Sequence, residues 1–287
     1  MRPVLDAARS IAAARLIRED KTLVMGVLNA TPDSFYGPST VGSASEARPR
    51  AEAFIADGAD IIDVGGESSR PGSGPVTEEE EQARVFPVID TLRGLGAIVS
   101  VDTWRADTAR GAVSRGAVMI NDITALRGDP EMARVAAESG ALCVLMHMRG
   151  LLPRTMQDAP VYDDVVDDLR LFFDERIEYA VRAGISEDRL WIDPGFGFGK
   201  TAAHNIELLR RLGEFRSFGL PILVGTSNKS MIGAVLGLGV EDRLEGTAAT
   251  VALAIAHGAD AVRVHDVKAM ARVARMCDAI LGKTPHG

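Results

Sequence analysis

The chain has 287 residues, 46% of them hydrophobic and 25% charged, with a formal net charge of -8. This suits one large globular domain or two small ones, and it argues against a broad nucleic-acid or anionic-membrane surface. The cysteines, Cys143 and Cys277, lie far apart in apolar surroundings and read as buried thiols; with no apolar run of transmembrane length and no signal-peptide core, a soluble cytoplasmic protein is expected.

Residues 1–21 read as an N-terminal extension and 22–287 as one domain. The first strand is expected from Lys21 to Asn29, followed by a loop of small residues to Ser45 and a helix to Asp57 that Gly58 ends. A second strand, Ala59 to Gly66, runs into a glycine- and serine-rich loop. Thr77 with Glu80 three residues on is a capping box, opening a helix to Arg93. The third strand, Ile98 to Thr103, carries Asp102 near its end, and a helix from about Arg105 to Ser114 follows. The fourth, Val118 to Ile123, ends on Asn121 and Asp122; Asp129 as cap and Pro130 at the first helical position open the next helix, to Ser139. Leu142 to Met148 is the fifth strand, followed by a loop and a long charged helix from Tyr162 to Ala183. The sixth, Leu190 to Asp193, precedes a helix from about Ala203 to Phe215. Pro221 to Ser227 is the seventh, and a helix from Glu245 to His257 leads to the eighth, Ala261 to Asp266, and a last helix, Val267 to Leu281.

Strands alternating with helices imply a parallel sheet, and eight such units in this length suit an α/β protein with a (β/α)8 barrel. A doubly wound sheet is the runner-up, although its usual phosphate fingerprint after the first strand is missing. Gly199-Lys200-Thr201 invites a phosphate-binding P-loop, but the glycine position that motif requires is Pro194, which has no N–H to offer. The glycines of Gly195 to Gly199 also have the wrong spacing for a dinucleotide fingerprint.

If the barrel closes, its strand ends bring Asn29, Asp102, Asn121, Met146, Asp193, Lys229, Arg263 and His265 to one face. Each alone has a plain structural explanation: Asn and Asp cap helices, Met146 fills core, and His147 is a hydrogen-bonded core or rim histidine rather than a metal ligand. Together they suggest two subsites. Asp102, Asn121 and Asp193 suit a flat heterocycle that displays N–H donors, with phenylalanines of the sixth loop as an apolar wall. Arg263 and His265, two apart on one strand, face the same way and suit phosphate oxygens. Asn29 adds an oxygen for a metal ion.

The ordered series MGVLNATPDSF, ADIIDVGGESSRPG, SVDT, INDI, VLMHM, DPGFGFGKTAAHN, PILVGTSNKSMIG and AVRVHDV, from about Leu23 to Met276, resembles the dihydropteroate synthase family. The resemblance implies a TIM barrel that joins 4-aminobenzoate to 6-hydroxymethyl-7,8-dihydropterin pyrophosphate. It further implies pterin binding by Asp102, Asn121, Asp193 and Lys229, with Met146 and Phe198 along the ring. Pyrophosphate would meet Asn29, Arg263 and His265, with Mg²⁺ on Asn29. 4-Aminobenzoate would lie near Ser69, Pro71, Lys229 and Ser230, with Arg70 in the closing loop. A homodimer through the last helices is also implied, and no nucleic-acid or membrane partner. Three positions depart from the family pattern: Ser69 replaces Thr, Asn228 replaces Arg, and Gly37 stands where a loop carboxylate is usual. Two alternatives remain: a catalytically weak pterin-binding paralogue, and a methyltransferase passing a methyl group from a reduced folate to a corrinoid protein, which would not need the Arg263/His265 pair.

Overall fold

Alternation along the strands sorts the side chains into two shells. Val24, Leu28, Ile62, Val64, Val99 and Val101 pack outward against the helices, while Leu23, Met25, Ile61, Met119, Val144 and Trp191 form a separate inner cluster. This is the period-two signature of a strand buried on both faces. The computed structural model describes residues 16, 21–31, 44–68, 74–150 and 160–283; Gly37, Ser69, Arg70, Pro71 and all of the N-terminal extension but Leu16 and Lys21 lie outside them.

The wall consists of β1 (Leu23–Asn29), β2 (Ile61–Gly65), β3 (Val99–Asp102), β4 (Met119–Asp122), β5 (Leu142–Met146), β6 (Leu190–Asp193), β7 (Leu223–Val224) and β8 (Ala261–Val264). All pairings are parallel, in the order β6-β5-β4-β3-β2-β1-β8-β7. A bridge between Ile192 and Ile222, with the Ile192 amide donating to the Pro221 carbonyl at 3.0 Å, closes β6 onto β7. The structure is thus the expected (β/α)8 barrel.

Parallel neighbours need crossover connections, and helices supply them. They are α1 (Ala44–Asp57), α2 (Glu78–Gly94), α3 (Ala106–Ser114), α4 (Met132–Ser139), α5 (Val165–Arg182), α6 (Ala202–Arg210), α7 (Ser230–Leu236), α8 (Leu244–Ala256) and α9 (Val267–Ile280). Gly26 shows how closely they press on the wall: a Cβ there would lie 2.9 Å from both Phe54 of α1 and Val267 of α9. Thr77 and Glu80 form the expected capping box at α2. Among the described residues, no helix is long and apolar enough to cross a membrane.

Several boundaries differ from expectation, most of them by one to three residues, and three have a plain local cause. Helix α4 begins at Met132 rather than Pro130, because the Met132 amide closes a turn onto the Asp129 carbonyl at 3.1 Å. Asp129 still caps, and twice: its carboxylate accepts from the Glu131 amide and, across the fold, from the Ala106 amide at the start of α3, each at 2.9 Å. The helix expected to run to Phe215 stops at Arg210 and continues as a 3-10 segment, Leu212–Phe218; Gly213, a weak helix former, sits at that break. Strand β7 keeps only two residues, since Thr226 to Lys229 turn away with Asn228 at φ 58°.

Candidate active site

The inner face of the barrel changes character along its axis. Its lower part is filled by Met25, Ile61, Met119, Trp191 and their neighbours. Above them the inward positions turn polar: Asp63 lies in register with Val27 and Ser100, Asp102 with Asn121, and Asp193 with Met146. A cavity of about 720 Å³ opens over this polar layer. Asn29, Asp102, Asn121, Met146, Asp193, Phe198, Lys229, Ser230, Arg263 and His265 all line it, so every described candidate residue is brought together.

Arg263 occupies the middle of the floor. Its Nε donates to Asp63 Oδ2 at 2.6 Å and its Nη2 to Asp102 Oδ2 at 2.7 Å. Arg263 is expected to partner phosphate; two of its edges also pair with carboxylates. Burial works against its charge, but Asp63 and Asp102 outweigh this and hold the guanidinium protonated. Burial pushes Asp102 up to about 7 against the pull of Arg263, and Asp63 adds to the rise. Asp63 also accepts from Asn121 Nδ2 at 3.1 Å. Asn121 Oδ1 is buried and has no hydrogen-bond partner among the described residues.

Asp193 combines the two roles that its position at a strand end allows. Its Oδ1 accepts from the Gly195 amide at 2.7 Å, which is the turn-capping role, while the residue also lines the cavity. Burial raises its pKa to about 6, with the Gly195 hydrogen bond and Lys229 pulling the other way. The loop after it is tied from beneath by Lys200. This buried amine, whose pKa burial lowers well below the ordinary lysine value, donates to the carbonyls of Gly195 at 2.9 Å and Phe198 at 3.1 Å, and meets His147 Nδ1 at 2.8 Å. Lys200 is thus a loop strut, in keeping with the rejected P-loop. His147 is the expected hydrogen-bonded histidine, and burial followed by the charges of Lys200 and Arg127 keeps it neutral. Gly195 is required here: at φ 67° its Cβ would stand 2.0 Å from the His147 carbonyl oxygen.

Phe198 joins Ile123, Met146 and Met148 in a small apolar cluster, and Lys229 Nζ lies 4.3 Å from the Phe198 ring centre. Phe196 instead packs into the outer core. His265 is oriented by Ser227: its amide donates to Ser227 Oγ at 3.2 Å, and that hydroxyl meets Nδ1 at 3.0 Å. When the hydroxyl accepts from the amide and donates to Nδ1, the ring hydrogen sits on Nε2, the tautomer that offers a donor to an anion.

Asp63, Ser227 and Lys200 were missed as contributors to the site. For Asp63 a signal existed: it alternates with Ile61 and Gly65 in IIDVG, and a carboxylate on an inward position needs a partner. Ser227 and Lys200 act through contacts that no local pattern announces.

A closed (β/α)8 barrel with an acceptor-rich cavity at the C-terminal strand ends defines a small-molecule enzyme of the TIM-barrel class. Residues 25–265 match the pterin binding enzyme family, and the chain belongs to that family. It is 47% identical over 266 residues to the dihydropteroate synthase of Bacillus subtilis, covering 92% of this chain and 90% of that one. It is also 42% identical over 283 residues to inactive dihydropteroate synthase 2 of Mycobacterium leprae, covering 96% and 97%. Among solved structures, Yersinia pestis dihydropteroate synthase with a sulfonamide drug superposes with a TM-score of 0.87 at 42% identity, covering 91% of this chain and 95% of that one. The Xanthomonas albilineans dihydropteroate synthase with 4-aminobenzoic acid gives 0.82 at 42% identity, covering 91% and 94%.

Proposed function

We propose that this protein is a dihydropteroate synthase, which condenses 6-hydroxymethyl-7,8-dihydropterin pyrophosphate with 4-aminobenzoate to give 7,8-dihydropteroate and pyrophosphate. The observation that carries the reading is the acceptor set on the cavity floor: Asp102, Asp193 and the unpartnered Asn121 Oδ1, beside the apolar wall of Met146 and Phe198. A pterin offers that combination of a flat ring and a donor-rich guanidine-like edge.

In the proposed reaction the bond between the pterin methylene carbon and the diphosphate oxygen breaks first, and its electron pair leaves with the diphosphate. The amine of 4-aminobenzoate then attacks the cationic methylene and loses a proton. Asp102 and Asp193 lie where their charge stabilises that cation. His265, through Nε2–H, and the Nη1 edge of Arg263 would meet the leaving diphosphate. Lys229 and Ser230 would border the 4-aminobenzoate side, together with Ser69, Arg70 and Pro71. An aniline nitrogen is already nucleophilic, so the site needs no tuned base.

For Mg²⁺ the donor set fits a cation shared with the substrate. Asn29, whose side chain has one amide oxygen to offer, lines the cavity, and no group of three His, Cys, Asp or Glu gathers among the described residues. Mg²⁺ commonly takes few protein ligands and completes its shell with phosphate oxygens and water. When bound it would neutralise charge on the leaving diphosphate.

A homodimer is part of this reading. Val235 and Leu236 of α7, Leu253 of α8 and Met276 and Ile280 of α9 are exposed large apolar side chains on neighbouring helices, which suits a subunit interface. A cytoplasmic location suits the two free thiols, Cys143 and Cys277.

Pyrophosphate release that requires 4-aminobenzoate tests the function. Pterin binding without such release would favour a non-catalytic paralogue, which Asn228 and the inactive mycobacterial relative keep in view. Methyl transfer from a reduced folate, with no pyrophosphate formed, would favour the methyltransferase reading.

A further inference from the structure

Asp63 lies below the cavity floor, is fully buried, and lines no part of the cavity. A single oxygen of this carboxylate, Oδ2, accepts from two residues that do line it: Arg263 Nε at 2.6 Å and Asn121 Nδ2 at 3.1 Å. The two donors come from β8 and β4, on opposite sides of β2. An ionised carboxylate can only accept. Asn121 must therefore turn its NH₂ down to Asp63 and its carbonyl oxygen up, where Oδ1 is buried and without a partner. Among the described residues Asp63 is the partner that chooses between the two amide orientations, and the flipped one would present a donor to a donor-rich ligand.

We infer that Asp63 is a positioning residue: it fixes the Asn121 amide with its oxygen toward the ligand and the Arg263 guanidinium in one plane, and so sets the hydrogen-bond polarity of the cavity. This role rests on the pterin reading of the cavity. Both consequences follow from one atom. Arg263, held at Nε by Asp63 and at Nη2 by Asp102, cannot rotate about its long axis without breaking a charge-assisted bond. Asp63 supplies no contact to the ligand itself, so its effect must pass through Asn121 and Arg263.

The test is a double-mutant cycle on the full chain, reading 6-hydroxymethyl-7,8-dihydropterin affinity by calorimetry, with thermal midpoints measured alongside. Asp63→Ala is expected to weaken pterin binding by roughly tenfold to a hundredfold. Combined with Asn121→Ala, the two losses should fall short of their product by about threefold or more, because one acts through the other. Losses that multiply to within about twofold would overturn the coupling and leave Asp63 a general stabiliser. If Asp63→Ala does not fold, Asp63→Asn carries the test. It keeps an oxygen but not the charge, and roughly fivefold weaker binding is expected; unchanged binding would overturn the role. A wild-type protein that does not bind the pterin would overturn the reading of the cavity and this role with it. Binding in the wild type with an additive cycle would overturn this role alone.

Discussion

Arg263 on β8 and Asp102 on β3 meet at 2.7 Å across the mouth of the barrel, although their strands are not neighbours in the sheet. The ion pair is partly buried, with about a fifth of each side chain exposed, and Asp63 completes it from beneath. Removing Arg263 would leave two carboxylates facing each other. Arg263→Ala is therefore expected to destabilise the protein by about 3 kcal/mol. It should also weaken binding of both the pterin and pyrophosphate, since the arginine serves both sides of the cavity. Urea unfolding at pH 8 together with calorimetry for the two ligands checks this. An unchanged unfolding midpoint would show that the ion pair contributes nothing.

Pterin binding should depend on pH in a definite direction. Burial holds Asp193 at about 6 and Asp102 at about 7, so both carry protons in mildly acid solution and then cannot accept at that oxygen. Affinity is expected to rise from pH 5 to about 8 and then level, changing by up to roughly tenfold per unit for each proton released. Stability of the ligand-free protein should run the other way: a carboxyl raised above its unfolded value favours the fold when protonated and loses that advantage as pH climbs through the folded pKa. A flat titration of affinity would rule out both carboxylates as acceptors, and Asp193→Asn should remove the step near 6.

Lys200→Met tests the strut under the sixth loop. The side chain fits, but the carbonyls of Gly195 and Phe198 lose a buried donor. A loss of about 2–4 kcal/mol is expected, with weaker pterin binding because Asp193 and Phe198 flank the loosened segment. Wild-type stability in this variant would mean that water replaces the amine without loss.

Gly195→Ala should be worse. The left-handed conformation alone costs a side chain about 1–3 kcal/mol, and the new Cβ would also strike the His147 carbonyl. The expected outcome is a protein that is insoluble or has lost pterin binding, measured by thermal denaturation and calorimetry. A soluble variant with normal affinity would show that this loop can shift freely.

Asn228 has a left-handed backbone, and its carbonyl accepts from Arg243 Nη1 at 2.9 Å. Asn228→Arg restores the positive charge usual in the family at the edge of the cavity. It is expected to lower the KM for 4-aminobenzoate while costing roughly 1 kcal/mol, because longer side chains tolerate this conformation less well. Steady-state kinetics beside thermal melts separates the two effects, and an unchanged KM would detach Asn228 from the second substrate.

The barrel was legible in the chain because its signals are local. Apolar runs such as LWID stop at a polar residue, capping residues such as Thr77 mark helix starts, and the alternation repeats through eight strands. The cavity residues were legible for the same reason, since strand ends on a parallel barrel share one face. The weaker readings fell where local pattern competes with packing. PILVGTS has the composition of a strand, yet beyond the Ile222 bridge only Leu223 and Val224 pair, and the chain turns at Asn228.

Sequence alone determined that the polar strand-end residues Asn29, Asp102, Asn121, Asp193, Arg263 and His265 reach the cavity, because period-two alternation and strand order follow from the chain itself. What those residues do there was decided only by the tertiary structure. Arg263 reads in the chain only as a partner for an anion; the barrel also brings Asp63, 200 residues away, to its Nε. The spacing around Pro194 excluded Lys200 as a P-loop lysine, but only the fold shows what it does instead, beneath the Gly195 and Phe198 carbonyls and beside His147. A hydrogen bond depends on distances of a few tenths of an ångström, and between residues so far apart those distances are set by barrel register and closure, which no local stretch encodes.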